Sequence, residues 1–257
     1  MPQRVTASVK IRQHLPAFAL FAAASAAFIF APSDAQAVMR GHAAGSISRH
    51  VVKLIGTNLL CTATVVSHQQ VLTANHCIEG PGPFFVVAGG RKIAVTGHTG
   101  SGQATLLTLE SPLPASAVPI ATGEPVGNGP VIIAGYGTAQ ESANMHSAGL
   151  REAQLVADSR YNGLVDPNRR GPISASACMG DSGGPVARFD GKRYVLVGIV
   201  ERVSNYQGIG ACGYLTHYST IGGVPNYDQA PSNSRVASEP TAPRKPVKRA
   251  KEWAEMQ

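Results

Sequence analysis

Cys178-Met179-Gly180-Asp181-Ser182-Gly183-Gly184-Pro185 sets a serine between glycines and beside a carboxylate. A serine hydroxyl is a weak nucleophile until a base takes its proton and backbone N–H groups hold the oxyanion that its attack creates. Glycines at 180, 183 and 184 let the main chain turn sharply and come close to a substrate carbonyl, where a Cβ would obstruct it. The run reads as an oxyanion-hole turn, although Gly, Ser and Asp also build turns that carry no chemistry. The choice between these readings rests on the rest of the chain.

Far upstream, Val71-Leu72-Thr73-Ala74-Asn75-His76-Cys77 places a histidine at the end of an apolar, β-like run, with Cys61 sixteen positions before Cys77. Together the two stretches resemble the trypsin/chymotrypsin family of serine proteases, whose histidine lies in a TAAHC segment and whose serine lies in GDSGGP. Leu106-Leu107-Thr108-Leu109-Glu110-Ser111-Pro112-Leu113 is similar to that family's ALLKL..PL strand, and Val131-Ile132-Ile133-Ala134-Gly135-Tyr136-Gly137-Thr138 to its GWGT strand. Cys212-Gly213 followed by Tyr214-Leu215-Thr216-His217-Tyr218 resembles its last strand. The resemblance covers essentially residues 38 to 224.

Periodicity agrees with an all-β chain. Short apolar runs recur at His50–Leu54, Leu59–Val66, Phe84–Val87, Lys92–Val95, Ala104–Leu109, Val131–Gly135, Ala153–Val156, Tyr194–Val200 and Tyr214–Tyr218. Turn residues separate them, including Asp190-Gly191, a hairpin signal. No long stretch has helical periodicity. The resemblance implies two packed antiparallel β-barrels with the active site in the cleft between them. Within a domain expected over 38–228, it sets barrel one at about 38–120 and barrel two at about 121–228.

The chain has 257 residues, a formal net charge of +7, 28 glycines, 18 prolines and 44% hydrophobic residues. Arg4, Lys10 and Arg12 precede an apolar run from about Pro16 to Ala31, and Ala35-Gln36-Ala37 supplies a small-x-small cleavage site, so 1–37 reads as a secretory signal peptide. The run is short for a membrane span, so no integral membrane segment is expected after its removal. Residues 229–257 form a Pro-rich basic tail that cannot bury enough to fold, and read as disordered. The leader carries +2 and the tail from Pro231 +3, leaving +2 on the middle of the chain. That near-neutral middle argues against nucleic-acid binding, which wants cations clustered on the folded domain. Export implies a secreted or periplasmic protein.

All four cysteines follow the cleavage site, and an exported chain favours disulfides in any of three connectivities. The resemblance implies Cys61–Cys77 and Cys178–Cys212. The cysteines include no Cys-x-x-Cys pair and their spacing is unlike a zinc site, so neither metal nor cofactor is expected.

The resemblance assigns the site residue by residue. Ser182 is the nucleophile and His76 its base, while Gly180 and Ser182 donate N–H groups to the oxyanion. Asp181 pairs with the free amine of a mature chain beginning at Val38, as cleavage after Ala37 would leave it. Ser176 stands at the base of the specificity pocket, where an aspartate would select Arg or Lys, with Val203 on its wall and Gly213 opposite. The pocket should therefore be neutral and narrowed. Two departures stand out. Gln103 occupies the position of the triad aspartate, and the strand Val197-Gly198-Ile199-Val200 continues Glu201-Arg202-Val203 where the family has Ser-Trp-Gly. Glu201 is the candidate replacement acid, rooted where the family has a serine that touches the triad aspartate.

The expectation is a secreted serine endopeptidase acting on protein or peptide substrates, cutting after small or medium apolar residues. The alternatives are a pseudoprotease of the same fold that binds proteins or peptides, for which Gln103 argues, and an exported structural or adhesive module, for which only the basic tail argues.

Overall fold

The computed structural model describes residues 38–123, 129–138, 149–171, 173–205, 208–209 and 212–221. The signal peptide expected over 1–37 and the tail expected over 229–257 lie outside the described residues. A short strand β1 (His42–Ala43) and a 3-10 turn (Ser46–His50) lead into β2 (Val51–Gly56), β3 (Leu59–Val65) and β4 (Gln70–Ala74). A second 3-10 turn, Asn75–Ile78, precedes β5 (Phe85–Ala88), β6 (Arg91–Ser101) and β7 (Ala104–Leu109). Then follow β8 (Ala121–Thr122), β9 (Pro130–Gly135), β10 (Arg151–Asp158), β11 (Gly163–Val165), β12 (Pro185–Phe189), β13 (Tyr194–Asn205), β14 (Gly208–Ile209) and β15 (Leu215–Thr220).

Strands β2-β3-β4-β7-β6-β5 close into one antiparallel barrel. A second closes through β9, β10, β11, β15, β13 and β12, which returns to β9, with every step antiparallel. Both follow from alternation. In β5 and β7 apolar positions recur every second residue, placing Val86, Leu107 and Leu109 inside. Ile47, Leu54, Val65, Leu72 and Ile93 complete the first core, and Val131, Ile133, Leu155, Leu164, Val186 and Val197 fill the second. Among the described residues no helix is long and apolar enough to cross a membrane.

The chain's start differs from the expected division. β1 pairs with β10, His42 opposite Glu152 and Ala43 opposite Arg151, so this stretch belongs with barrel two although the expected boundary put it in barrel one. Strand β11 also went unforeseen. Only three residues long, it begins next to Asn162 in the left-handed region (φ 48°) and is too short to display a period.

β3 decides where the site forms. Cys61, Ala63 and Val65 face the first core, while Thr62 and Thr64, fully buried on the opposite face, turn toward barrel two. The second of these faces meets the serine-bearing turn.

Candidate active site

Asp181 anchors the serine turn. Its side chain is fully buried, and three backbone N–H groups donate to it: Gly137 to Oδ1 at 2.8 Å, Cys178 to Oδ2 at 2.8 Å and Val38 to Oδ2 at 3.2 Å. Gly135 and Gly137 leave room for this carboxylate, since a Cβ on either would run into it. Burial pushes the Asp181 carboxyl up to about 7, against the pull of the three N–H donors. Val38 is itself buried and sits at φ 52°, a strained conformation for a β-branched residue.

The turn before Ser182 has a defined geometry. Cys178 to Asp181 makes a turn closed by Asp181 N–H donating to Cys178 C=O at 3.0 Å, with Gly180 at φ 94°. A type II turn requires that positive φ at its third residue. The Met179 carbonyl accepts from Thr138 N–H at 2.8 Å, so it points inward. In a trans peptide the N–H opposes the C=O. The Gly180 N–H therefore faces the other way, into the cleft that Gly180 lines.

Three buried threonines of barrel one hold the turn in place. Thr62 Oγ1 donates to Gly180 C=O at 2.8 Å and accepts from Tyr136 N–H at 3.0 Å. Thr64 Oγ1 donates to Gly183 C=O at 3.0 Å, and Thr73 Oγ1 to Thr62 C=O at 2.9 Å. Thr62 N–H donates to Ser182 C=O at 2.9 Å. Gly183 lies so close to β4, at φ 84°, that a Cβ there would meet Thr73 Oγ1 and Thr62 C=O. β4 carries His76 just beyond its end, so this approach brings the histidine segment to the serine. These threonines were not foreseen. The signal that could have found them is a threonine at every second position of a strand buried on both faces.

His76, Ser182 and Glu201 line one cleft of about 380 Å³ with Gly180, Met179, Val200, Arg202, Val203, Leu59 and Leu60. No hydrogen bond links these three side chains to one another. Ser182 Oγ donates to the Glu201 main-chain carbonyl at 3.3 Å, and no hydrogen bond joins His76, which is exposed, to Ser182 or Glu201. The Glu201 carboxylate is engaged elsewhere, Oε1 with Arg202 at 2.6 Å and Oε2 accepting from Ser219 Oγ at 3.0 Å. Gln103 lies next to the histidine segment, its carbonyl accepting from Asn75 N–H at 2.8 Å while its side chain stays exposed.

Both disulfides, Cys61–Cys77 and Cys178–Cys212, are formed. Potential ligand atoms of Cys61, His76 and Cys77 lie within 4.8 Å of one another, but the sulfurs are joined to each other, which leaves His76 alone as a donor. Of the residues expected at the specificity pocket, Val203 lines the cleft, whereas Ser176 and Gly213 are not part of its lining. Ser176 is fully buried, its hydroxyl donating to Ala177 C=O and accepting from Gly213 N–H, each at 2.8 Å.

The comparisons agree with this architecture. A family model described as Trypsin matches residues 38–221. "Serine protease SP24D" of Anopheles gambiae is 31% identical over 197 residues, covering 64% of this chain and 70% of that protein. "Trypsin zeta" of Drosophila erecta is 29% identical over 197 residues, covering 58% of this chain and 68% of its own length. Two closed barrels, a serine turn braced from both and a match across 38–221 lead to one conclusion: the chain belongs to the trypsin family of serine proteases.

Proposed function

We propose that the protein is a secreted serine endopeptidase that cleaves after small or medium apolar residues through an acyl-enzyme, with Glu201 in the role of the absent triad aspartate. The observation that carries this reading is the Gly180 N–H directed into the cleft beside Ser182, with His76 on the same cleft. Ser182 Oγ attacks the scissile carbonyl carbon and passes its proton to His76. The carbonyl π pair moves onto oxygen and is held by the N–H groups of Gly180 and Ser182. Collapse breaks the C–N bond, and the leaving amine takes the proton from His76. Water then attacks the Ser182 ester, with His76 again as base, and releases the acid and the free serine.

Glu201 supplies the charge that Gln103 lacks. An amide can accept a hydrogen bond from an imidazole N–H but brings no charge to the imidazolium. Glu201 lines the same cleft, and its carboxylate is mostly shielded from water, which supports its use as the orienting acid. A pseudoprotease is the outcome if it never reaches His76.

Removal of the leader after Ala37 is taken as the activating step. It converts the Val38 amide, already 3.2 Å from Asp181, into an ammonium, which is charged near neutrality and suited to a carboxylate that burial has raised. The same cut releases the left-handed φ that Val38 holds while joined to Ala37. The preference for apolar residues rests on the lining of the cleft by Val200 and Val203. It also rests on the full occupation of the Ser176 hydroxyl, which leaves a buried cation without a partner.

A fluorophosphonate probe tests the activity. Labelling of Ser182 at a normal protease rate, abolished by Ser182→Ala and His76→Ala, is the expected result; a native protein that fails to label is a binding module. N-terminal sequencing of the exported, active form should begin at Val38, and any other start excludes the proposed activation. A peptide-library digest should cut after Ala, Val or Leu, and cuts dominated by Arg or Lys would refute the pocket assignment.

A further inference from the structure

Glu201 occupies a break in the β13–β15 ladder. Val200 pairs with Tyr218 and Arg202 with His217, so Glu201 is the extra residue of a β-bulge. Neighbouring side chains on a regular strand point to opposite faces. A bulge disrupts that alternation and re-aims a side chain, and here Glu201 and Arg202 both line the cleft and pair with each other at 2.6 Å. Both residues are departures from the family pattern, and they are adjacent.

The resting arrangement holds every reacting group away from its partner: the serine on a carbonyl, the histidine exposed, the carboxylate on a guanidinium and a serine hydroxyl. The partner that holds the carboxylate is the accessible one. The Arg202 side chain is 48% exposed, against 13% for Glu201. A second carboxylate arriving in the cleft can therefore take the guanidinium, exchanging one Arg–carboxylate pair for another and leaving the Glu201 carboxylate with the Ser219 hydroxyl and room to accept from His76. Val200 and Val203 offer the incoming chain apolar surface, and beside His76, which stands next to Ser182 in this reading, Arg202 is the permanently charged cation of the lining.

We propose that Arg202 is a specificity-determining residue that couples recognition to assembly of the triad: an Asp or Glu side chain flanking the scissile bond of a peptide substrate draws Arg202 away, and the released Glu201 carboxylate turns to orient His76. The inference rests on Glu201 being the orienting acid. It adds the substrate class, peptides with an acidic residue beside an apolar cleavage position. It also gives the acidic residue an effect that simple attraction lacks. Attraction alone is made equally in ground and transition states and changes only KM; exchange supplies the acid to the histidine and changes kcat.

The test uses the mature, full-length enzyme and two fluorogenic peptides that share an apolar cleavage residue and differ by Glu against Gln at a flanking position. The wild-type enzyme should turn over the Glu peptide with kcat higher by about tenfold, the scale of a gain made only in the transition state. Arg202→Gln should raise kcat on the Gln peptide toward that value and bring the two peptides within about twofold of each other. A wild-type preference confined to KM, or an Arg202→Gln enzyme whose Gln-peptide kcat is unchanged or lower, overturns the exchange. The wild-type comparison decides the matter even if that variant fails to fold. Glu201→Gln separates the two failures. Full activity on both peptides removes the acid on which the inference rests, whereas lost activity together with no Arg202 effect leaves the acid in place and rejects the exchange.

Discussion

The serine side of the cleft and the histidine side are built to different standards. Around Ser182 each peptide has a fixed partner: Asp181 receives three N–H groups, Thr138 orients the Met179 carbonyl, and Thr62 and Thr64 tie the turn to barrel one. Around His76 the main chain is equally firm, with Cys77 in a disulfide and Asn75 N–H donating to Gln103 C=O, yet the imidazole is exposed and lacks a hydrogen bond to Ser182 or Glu201. The contrast teaches that oxyanion stabilisation and base orientation are separable parts of this site. The first is fixed by the buried Asp181 carboxylate and the threonine hydroxyls that hold the turn's backbone. The second, on the proposed reading, depends on the Glu201 carboxylate, which Arg202 and Ser219 now hold.

Breaking the firm side should have the largest effect. Asp181→Ala would leave the N–H groups of Val38, Cys178 and Gly137 buried without acceptors, at about 1–3 kcal/mol each. A melting experiment should show Tm falling by more than about 10 °C, at roughly 2–4 °C per kcal/mol for a chain of this size, with fluorophosphonate labelling lost. Retained labelling and a Tm within about 3 °C of wild type would mean that the turn does not depend on its anchor.

The same carboxylate sets a pH signature that sharpens the comparison. Its folded-state pKa, about 7, lies above the ordinary 3.8. The stability it contributes is therefore full below about 4 and is lost as pH rises through 7, by roughly 4 kcal/mol in total at about 1.4 kcal/mol per pKa unit. Urea unfolding of a Ser182→Ala chain that keeps Gln36-Ala37 should weaken between pH 5 and 8. A chain that starts at Val38 brings an ammonium to Asp181 and should lose much less over that range. Parallel pH profiles for the two chains would show that the amine does not reach the carboxylate.

A smaller effect is expected at the contact between the barrels. Thr62→Val keeps the shape but removes a hydroxyl that bonds Gly180 C=O and Tyr136 N–H, leaving two part-buried groups without that partner at a cost of about 2 kcal/mol. If Gly180 donates to the oxyanion as proposed, kcat should fall with stability while KM changes little. A variant less stable but unchanged in kcat would separate the brace from the chemistry.

Much of the firm side was legible in the residues. Gly180-Asp181-Ser182-Gly183-Gly184 announced a sharp turn with a nucleophile, and the structure gives the reasons: a left-handed Gly180 and a Gly183 pressed against β4. The apolar runs gave nearly all the barrel strands, whether they alternate, as in β5 and β7, or bury both faces, as in β3 and β4. The resemblance implied the disulfide pairing, which spacing alone left open among three. The braces were not legible, because Thr62, Thr64 and Thr73 look like ordinary strand threonines until a second barrel covers them. Nor was the position of Glu201. Its place in the strand was readable, but the bulge between Val200 and Arg202 is a property of pairing with β15, and the pairing partner of a strand is a tertiary fact.

The most direct test of the account is the turnover of Glu201→Gln beside Gln103→Ala. In a trypsin-type enzyme, changing the triad acid to its amide lowers kcat by about 10⁴-fold, because the histidine is left in the wrong tautomer without its counter-charge. Glu201→Gln should lower kcat by at least about 10³-fold while Tm moves little, and Gln103→Ala, at an exposed side chain, should stay within about twofold of wild type. Full turnover by Glu201→Gln, or a collapse of turnover in Gln103→Ala alone, would contradict it.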